Sequence, residues 1–136
     1  METQDIIRSK LSEYRMLESQ MQEASAQLEA MENAKQQLQS TILSIQNIPT
    51  EGSTILPLGS GVFTKAQIDS NMKFIVQVGN SILIEKDKTQ SLEFLNKRLT
   101  ELQSAYSTLR NQADKIYFSM NSLEAELNSL SNRNPQ

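Results

Sequence analysis

The chain has no cysteine and no histidine. Without cysteine there can be neither disulfides nor thiolate metal sites. Without histidine the commonest general base and the commonest neutral-pH metal ligand are missing too. A phosphate cradle does not replace them, because Gly59-Ser60-Gly61 is followed by neither a helix start nor a Lys-Ser/Thr pair. The chain therefore reads as a non-enzyme, with no catalytic, cofactor-binding or metal-binding residues. Long apolar runs are also absent: nothing approaches the roughly 18 residues of a membrane span, and the N-terminus lacks the apolar core of a signal peptide. A soluble, cytoplasmic protein that does not engage membranes is expected.

Basic patches are scarce as well. Residues 1–50 hold seven acids (Glu2, Asp5, Glu13, Glu18, Glu23, Glu29, Glu32) against four bases (Arg8, Lys10, Arg15, Lys35), which accounts for the whole net charge of -3. Nothing resembles the cationic face of a nucleic-acid binder. Hydrophobic residues make up 38% and aromatics 5%, too few at 136 residues for a large round core. They suffice for a long, narrow seam.

Such a seam is present. Tyr14, Met21, Leu28, Lys35 and Ile42 form one heptad column, and Leu17, Ala24, Met31, Leu38 and Ile45 the other. Pro49 then stops the helix. Further along, Leu92, Leu99, Tyr106, Ala113, Met120 and Leu127 pair with Leu95, Leu102, Leu109, Ile116, Leu123 and Leu130 without an exception. A 3.5-residue period held this long predicts a coiled coil. Folding the chain back and pairing positions whose numbers sum to 137 sets each column of one run against the opposite column of the other. Ile45 then meets Leu92, Leu38 meets Leu99 and Ala24 meets Ala113. At about 1.5 Å per residue the shared seam spans roughly 47 Å. A slip of one heptad also satisfies the pattern. Lys35 faces Leu102 and is expected to snorkel outward.

Between the helical runs the period falls to two. Ile55–Leu58, Val62–Ile68, Lys73–Val78 and Ser81–Lys86 read as strands, with turns at Gly59-Ser60-Gly61, Asp69-Ser70-Asn71 and Gly79-Asn80. The fold class expected is α+β, mostly α: a long antiparallel coiled-coil hairpin with two β-hairpins at the bend. Residues 1–48 form the first helix, 49–88 the hairpins, 89–132 the second helix and 133–136 a tail. The small sheet carries apolar groups on both faces. Val62, Phe74, Val76, Val78, Ile82 and Ile84 alternate with Phe63, Ile75 and Leu83, and Leu56 and Leu58 add to them. One helix pair cannot cover both faces, so these residues are expected to form an oligomerisation surface.

The stretches Ile55–Phe63 (ILPLGSGVF), Val76–Asp87 (VQVGNSILIEKD) and Leu92–Leu99 (LEFLNKRL) resemble the alpha class of prefoldin subunits. The likeness in architecture covers the whole chain, and two hairpins distinguish this class from the single-hairpin beta class. It implies a closed hexamer of two alpha and four beta subunits joined through their hairpins. It further implies coiled coils whose ends hold unfolded proteins without ATP and pass them to a chaperonin. Two residues depart from the family pattern: Asn80-Ser81 stands where a second glycine is usual, and Ala66 where glycine is frequent.

Residues off the seam agree with this resemblance. From Glu18 to Gln37 and from Asn96 to Lys115, outward positions are polar or alanine throughout. Large apolar groups return at the extremes. Leu43, Ile48 and Phe94 lie near the hairpins, where packing on the sheet would explain them. Ile6, Leu11, Met16, Tyr117 and Phe118 lie near the free ends, and with the seam-end residues Ile7, Leu127 and Leu130 they form the candidate client-binding set. A passive coiled-coil spacer, or a filament-forming prefoldin-like protein, is the alternative. A spacer, however, would be as polar at its ends as in its middle.

Overall fold

The computed structural model describes residues 2–69 and 71–133. In order they form α1 (Glu2–Asn47), β1 (Gly52–Gly59), β2 (Val62–Ile68), β3 (Phe74–Gly79), β4 (Ile82–Lys86) and α2 (Lys88–Arg133). The expected fold class is observed: two long helices with two antiparallel β-hairpins between them. Residues 134–136 of the expected tail, and Ser70 of the expected middle turn, lie outside the described residues. β1 begins three residues earlier than its apolar run suggests, because polar Ser53 and Thr54 pair with Gln67 and Ala66 of β2.

The chain divides into two compact units, one built from α1 up to Lys35 with α2 from Leu102, the other from residues 36–101. In the first, every seam position from Tyr14 to Lys35 and from Leu102 to Leu130 is at least half-buried, and Ala24, Ala113 and Leu123 are fully so. Met31, Lys35, Leu102 and Tyr106 line one cavity. The Lys10 ammonium contacts the Glu126 carboxylate. Both groupings fit partners whose numbers sum to about 137, and a heptad slip would separate them. Lys35 is half-buried.

In the second unit Ile42, Ile45 and Leu95 form the buried cluster, with Leu38, Leu92 and Leu99 packed against it. Each such side chain contributes about 1.5–3 kcal/mol when fully buried. α2 starts on a reciprocal cap. The Gln90 amide donates to Asp87 Oδ1 (2.8 Å), and the Asp87 amide donates to Gln90 Oε1 (3.2 Å), which satisfies two donors that the first turn leaves without partners.

The hairpins depart from expectation in one respect: they do not form one sheet. β1 pairs with β2 and β3 with β4, in two separate two-stranded sheets. After β2 the chain turns at Asp69, which accepts from the amides of Asn71 (2.9 Å) and Met72 (3.2 Å), instead of returning along β2. All four strands therefore keep an open edge. Register irregularities fall at Leu58 of β1 and Val78 of β3. The first loop holds Ser60 and Gly61 at φ 52° and 78°, the positive-φ sense that suits a two-residue hairpin. The second holds Ser81 at φ 64°.

Candidate functional site

Among the described residues no three acidic side chains gather closely enough to hold a metal ion, and no helix is long and apolar enough to cross a membrane. What the fold presents instead is apolar surface, in two places.

The hairpins carry the first. On β1 and β2 the exposed apolar residues are Ile55, Leu56, Leu58, Val62 and Phe63; on β3 and β4 they are Ile75, Ile82, Leu83 and Ile84. All nine are exposed, Ile75 and Leu58 by about two thirds (68% and 67%). The three remaining residues expected on this surface are placed differently. Phe74, Val76 and Val78 are half-buried, alternating with exposed Ile75 and Gln77, and Phe74 packs on the Ile42–Ile45–Leu95 cluster. A two-stranded ribbon has two faces, and here one of them serves the chain's own helices. Phe94 fixes that arrangement. Arg98 lies 4.8 Å and Lys86 5.6 Å from its ring centroid, and Arg98 Nη2 donates to the Gln77 carbonyl (3.4 Å). This pin links α2 to both strands of the second hairpin. The i,i+4 spacing of Phe94 and Arg98 is visible in the sequence, but the strand it would clamp is not. Of the other basal residues, Ile48 is half-buried, whereas Leu43 is exposed and does not pack on the hairpins as expected.

The second surface lies in the unit that contains both chain termini. Ile6, Leu11, Met16, Tyr117 and Phe118 are exposed, Phe118 by 73%. Ile7, Leu127 and Leu130 are half-buried, as seam positions should be. The two groups are thus distinct, the first exposed in the folded chain and the second partly covered in the seam. Phe118 borders a shallow groove of about 320 Å³ with Lys10, Glu13, Ser119, Ser122, Leu123 and Glu126. Lys10 lies before Tyr14, where the heptad columns of the first helix begin. Extending the Leu17 column back by one heptad reaches Lys10, opposite Leu127.

Two exposed apolar surfaces on a coil with β-hairpins describe a binding protein, and comparison with known proteins says which kind. A family model described as Prefoldin subunit matches residues 11–133. The chain belongs to the prefoldin family. Its relatives include the prefoldin alpha subunit of Thermofilum pendens, 31% identical over 118 residues that cover 85% of this chain and 92% of that one. Another is the prefoldin alpha subunit of Pyrococcus horikoshii, 34% identical over 97 residues, 68% of this chain and 66% of that one. The class is therefore the archaeal-type alpha subunit. Among solved structures, the prefoldin beta subunit from Thermococcus strain KS-1 superposes with a TM-score of 0.64 at 13% identity, over 90% of each chain. Filamentous PFD from Methanocaldococcus jannaschii gives 0.52 at 17% identity, over 90% of this chain and 98% of that one. These two likenesses establish the shared fold. Prefoldins are a chaperone family, so the role is of chaperone type.

Proposed function

We propose that this chain is an ATP-independent chaperone subunit that assembles through its hairpins and holds unfolded proteins at the terminal end of its coil. Assembly is with prefoldin beta-type subunits, two alpha to four beta, and the held protein passes to a chaperonin in the cytoplasm. The observation that carries the client-binding part is the contrast along the helices. Mid-coil outward positions are polar or alanine, whereas Met16, Tyr117 and Phe118 at the terminal end are large, apolar and exposed. They fill no position in the seam, so the fold has no use for them. Burying one such side chain against a client contributes about 1.5–3 kcal/mol, and several coils acting together multiply weak contacts through effective concentration. Isolated spacers have no reason to carry these groups.

The test changes Met16, Tyr117 and Phe118 to serine. Helicity and assembly should be unaffected, suppression of aggregation of a denatured test protein should weaken, and ATP should change neither form. Unaltered suppression by an intact mutant complex would move the client site to the seam end at Ile7, Leu127 and Leu130.

A further inference from the structure

The groove beside Phe118 is not uniformly apolar, and its make-up bears on which segments of an unfolded chain suit it. The Phe118 ring is exposed, and Ser122 and Glu126 follow it at intervals of four residues along the same face of α2. Small Ser122 leaves room above Leu123, a buried residue that also lines the groove. Eight residues of helix separate Phe118 from Glu126, a length of about 12 Å. α1 contributes Lys10 and Glu13.

The two carboxylates of this groove differ in state. Glu126 is paired with Lys10, whereas Glu13 has no ion-pair partner among the described residues. Three charged side chains thus leave one uncompensated negative charge in a groove that also holds an exposed aromatic ring. The wider field has the same sign. Residues 1–35 and 102–136 hold ten acids and seven bases, whereas residues 36–101 hold six of each. The whole net charge of -3 therefore belongs to the unit that carries the groove, and such a field favours cationic segments over acidic ones.

From this we infer that the Phe118 groove selects segments in which a large apolar residue and an arginine stand two positions apart. Residues i and i+2 of an extended chain point to the same side, about 6–7 Å apart. That separation fits within the length of the groove. The apolar side chain packs on Phe118 above Leu123, and the arginine reaches Glu13. Arginine suits this place twice over: its stem is apolar enough to lie along the ring, and its guanidinium matches a carboxylate. An acidic residue in the same place meets Glu13 and is disfavoured. The occupant is a client segment of this composition because it alone supplies both complements, apolar surface for the ring and positive charge for Glu13.

The inference rests on the client-holding reading, and the test separates the two. Short fluorescent peptides with a Leu-Ser-Arg, Leu-Ser-Gln or Leu-Ser-Glu core between Gly-Ser flanks are titrated with the assembled full-length chain, and binding is followed by anisotropy. The arginine peptide should bind about two- to fivefold more tightly than the glutamine peptide, the range of an exposed ion pair, and the glutamate peptide most weakly. Added salt should remove the differences. Glu13 is exposed, so Glu13→Gln keeps the fold; it should erase the arginine preference and leave the glutamine peptide unchanged. Lys10→Gln releases Glu126 and should widen the preference. Phe118→Ser should weaken all three peptides. Equal binding of the three, lost in Phe118→Ser, overturns the charge selectivity alone and leaves client holding in place. An arginine preference that survives Glu13→Gln belongs to the general field and overturns the groove assignment. A smaller assembly in Phe118→Ser would give the groove to a second copy and overturn it too. Failure of every peptide to bind overturns the inference together with client holding at this end of the coil.

Discussion

Lys10 and Glu126, 116 positions apart in the chain, meet as an ion pair where the two ends of the coil come together. Lys10 occupies a seam position in register with Leu127, and its side chain remains 29% exposed. An ion pair of this exposure contributes about 0–1 kcal/mol, whereas a leucine packed on Leu127 would contribute about 1.5–3 kcal/mol. Lys10→Leu should therefore stabilise the coil by about 1–2 kcal/mol. Lys10→Glu should destabilise it, since it would stand beside Glu13 and Glu126. Urea titrations followed by helical circular dichroism give both values, and a destabilised leucine variant would show that Lys10 is not a seam residue.

The seam has two further irregular layers, and they should respond with opposite signs. Lys35 shares a cavity of about 140 Å³ with Met31, Leu102 and Tyr106, so Lys35→Leu has room and puts an apolar side chain at a half-buried seam position. It should raise the midpoint of thermal unfolding, at some cost in the fidelity of register that a polar seam residue provides. Ala113 is only 3% exposed and faces Ala24 in this register. Ala113→Leu should overpack this layer and destabilise by about 1–3 kcal/mol. Equal gains from both leucines would mean that the alanine layer is loose rather than close-packed.

The coil was legible because its signal is one-dimensional. Columns such as Leu95, Leu102 and Leu109 repeat every seven residues, and burial follows them closely. Both loops were legible from their turn residues. The arrangement of the hairpins was not, since alternation of Phe74, Ile75 and Val76 separates two faces without saying which one the chain keeps for itself. That choice depends on Phe94 and Arg98 of α2 meeting Lys86 of β4 and the Gln77 carbonyl of β3, a contact made only in three dimensions. The exposure of Leu43 is likewise a matter of helix phase against a hairpin whose position the sequence does not encode locally.

Ser81 offers a check on the second loop. It adopts φ 64°, a conformation that costs a side-chain-bearing residue about 1–2 kcal/mol. Ser81→Gly removes that strain and adds unfolded-state entropy of about 0.4–1 kcal/mol. The net effect should be neutral to slightly stabilising, with slower hydrogen exchange at the β3 and β4 amides. At Gly61, φ 78°, the reverse change to alanine should speed exchange in β1 and β2.

Phe94→Ala should release the second hairpin without unfolding the coil. It removes two cation–π contacts, each worth about 0.5–1 kcal/mol at exposed sites, together with the half-buried ring that packs on Leu95 and its neighbours. Exchange at β3 and β4 should accelerate markedly while the amides of α1 between Tyr14 and Leu28 keep their protection. Loss of protection throughout would mean that the pin holds the coil as well.

Assembly and client holding should separate by mutation, because the surfaces proposed for them lie in different units of the chain. Ile75 and Leu83 are 68% and 63% exposed, so aspartate at either position meets water in the single chain and leaves its fold intact. In an assembly that covers them the same carboxylates would be buried without partners, at a cost of about 3–5 kcal/mol. Ile75→Asp/Leu83→Asp should therefore abolish association while circular dichroism remains that of the parent. Deleting residues 1–10 and 128–136 removes the coil end but no hairpin residue, and should leave association unchanged while weakening aggregation suppression. Sedimentation of the two variants beside the parent decides the matter. If the truncated chain fails to associate, or the aspartate variant still does, the hairpins are not the assembly surface.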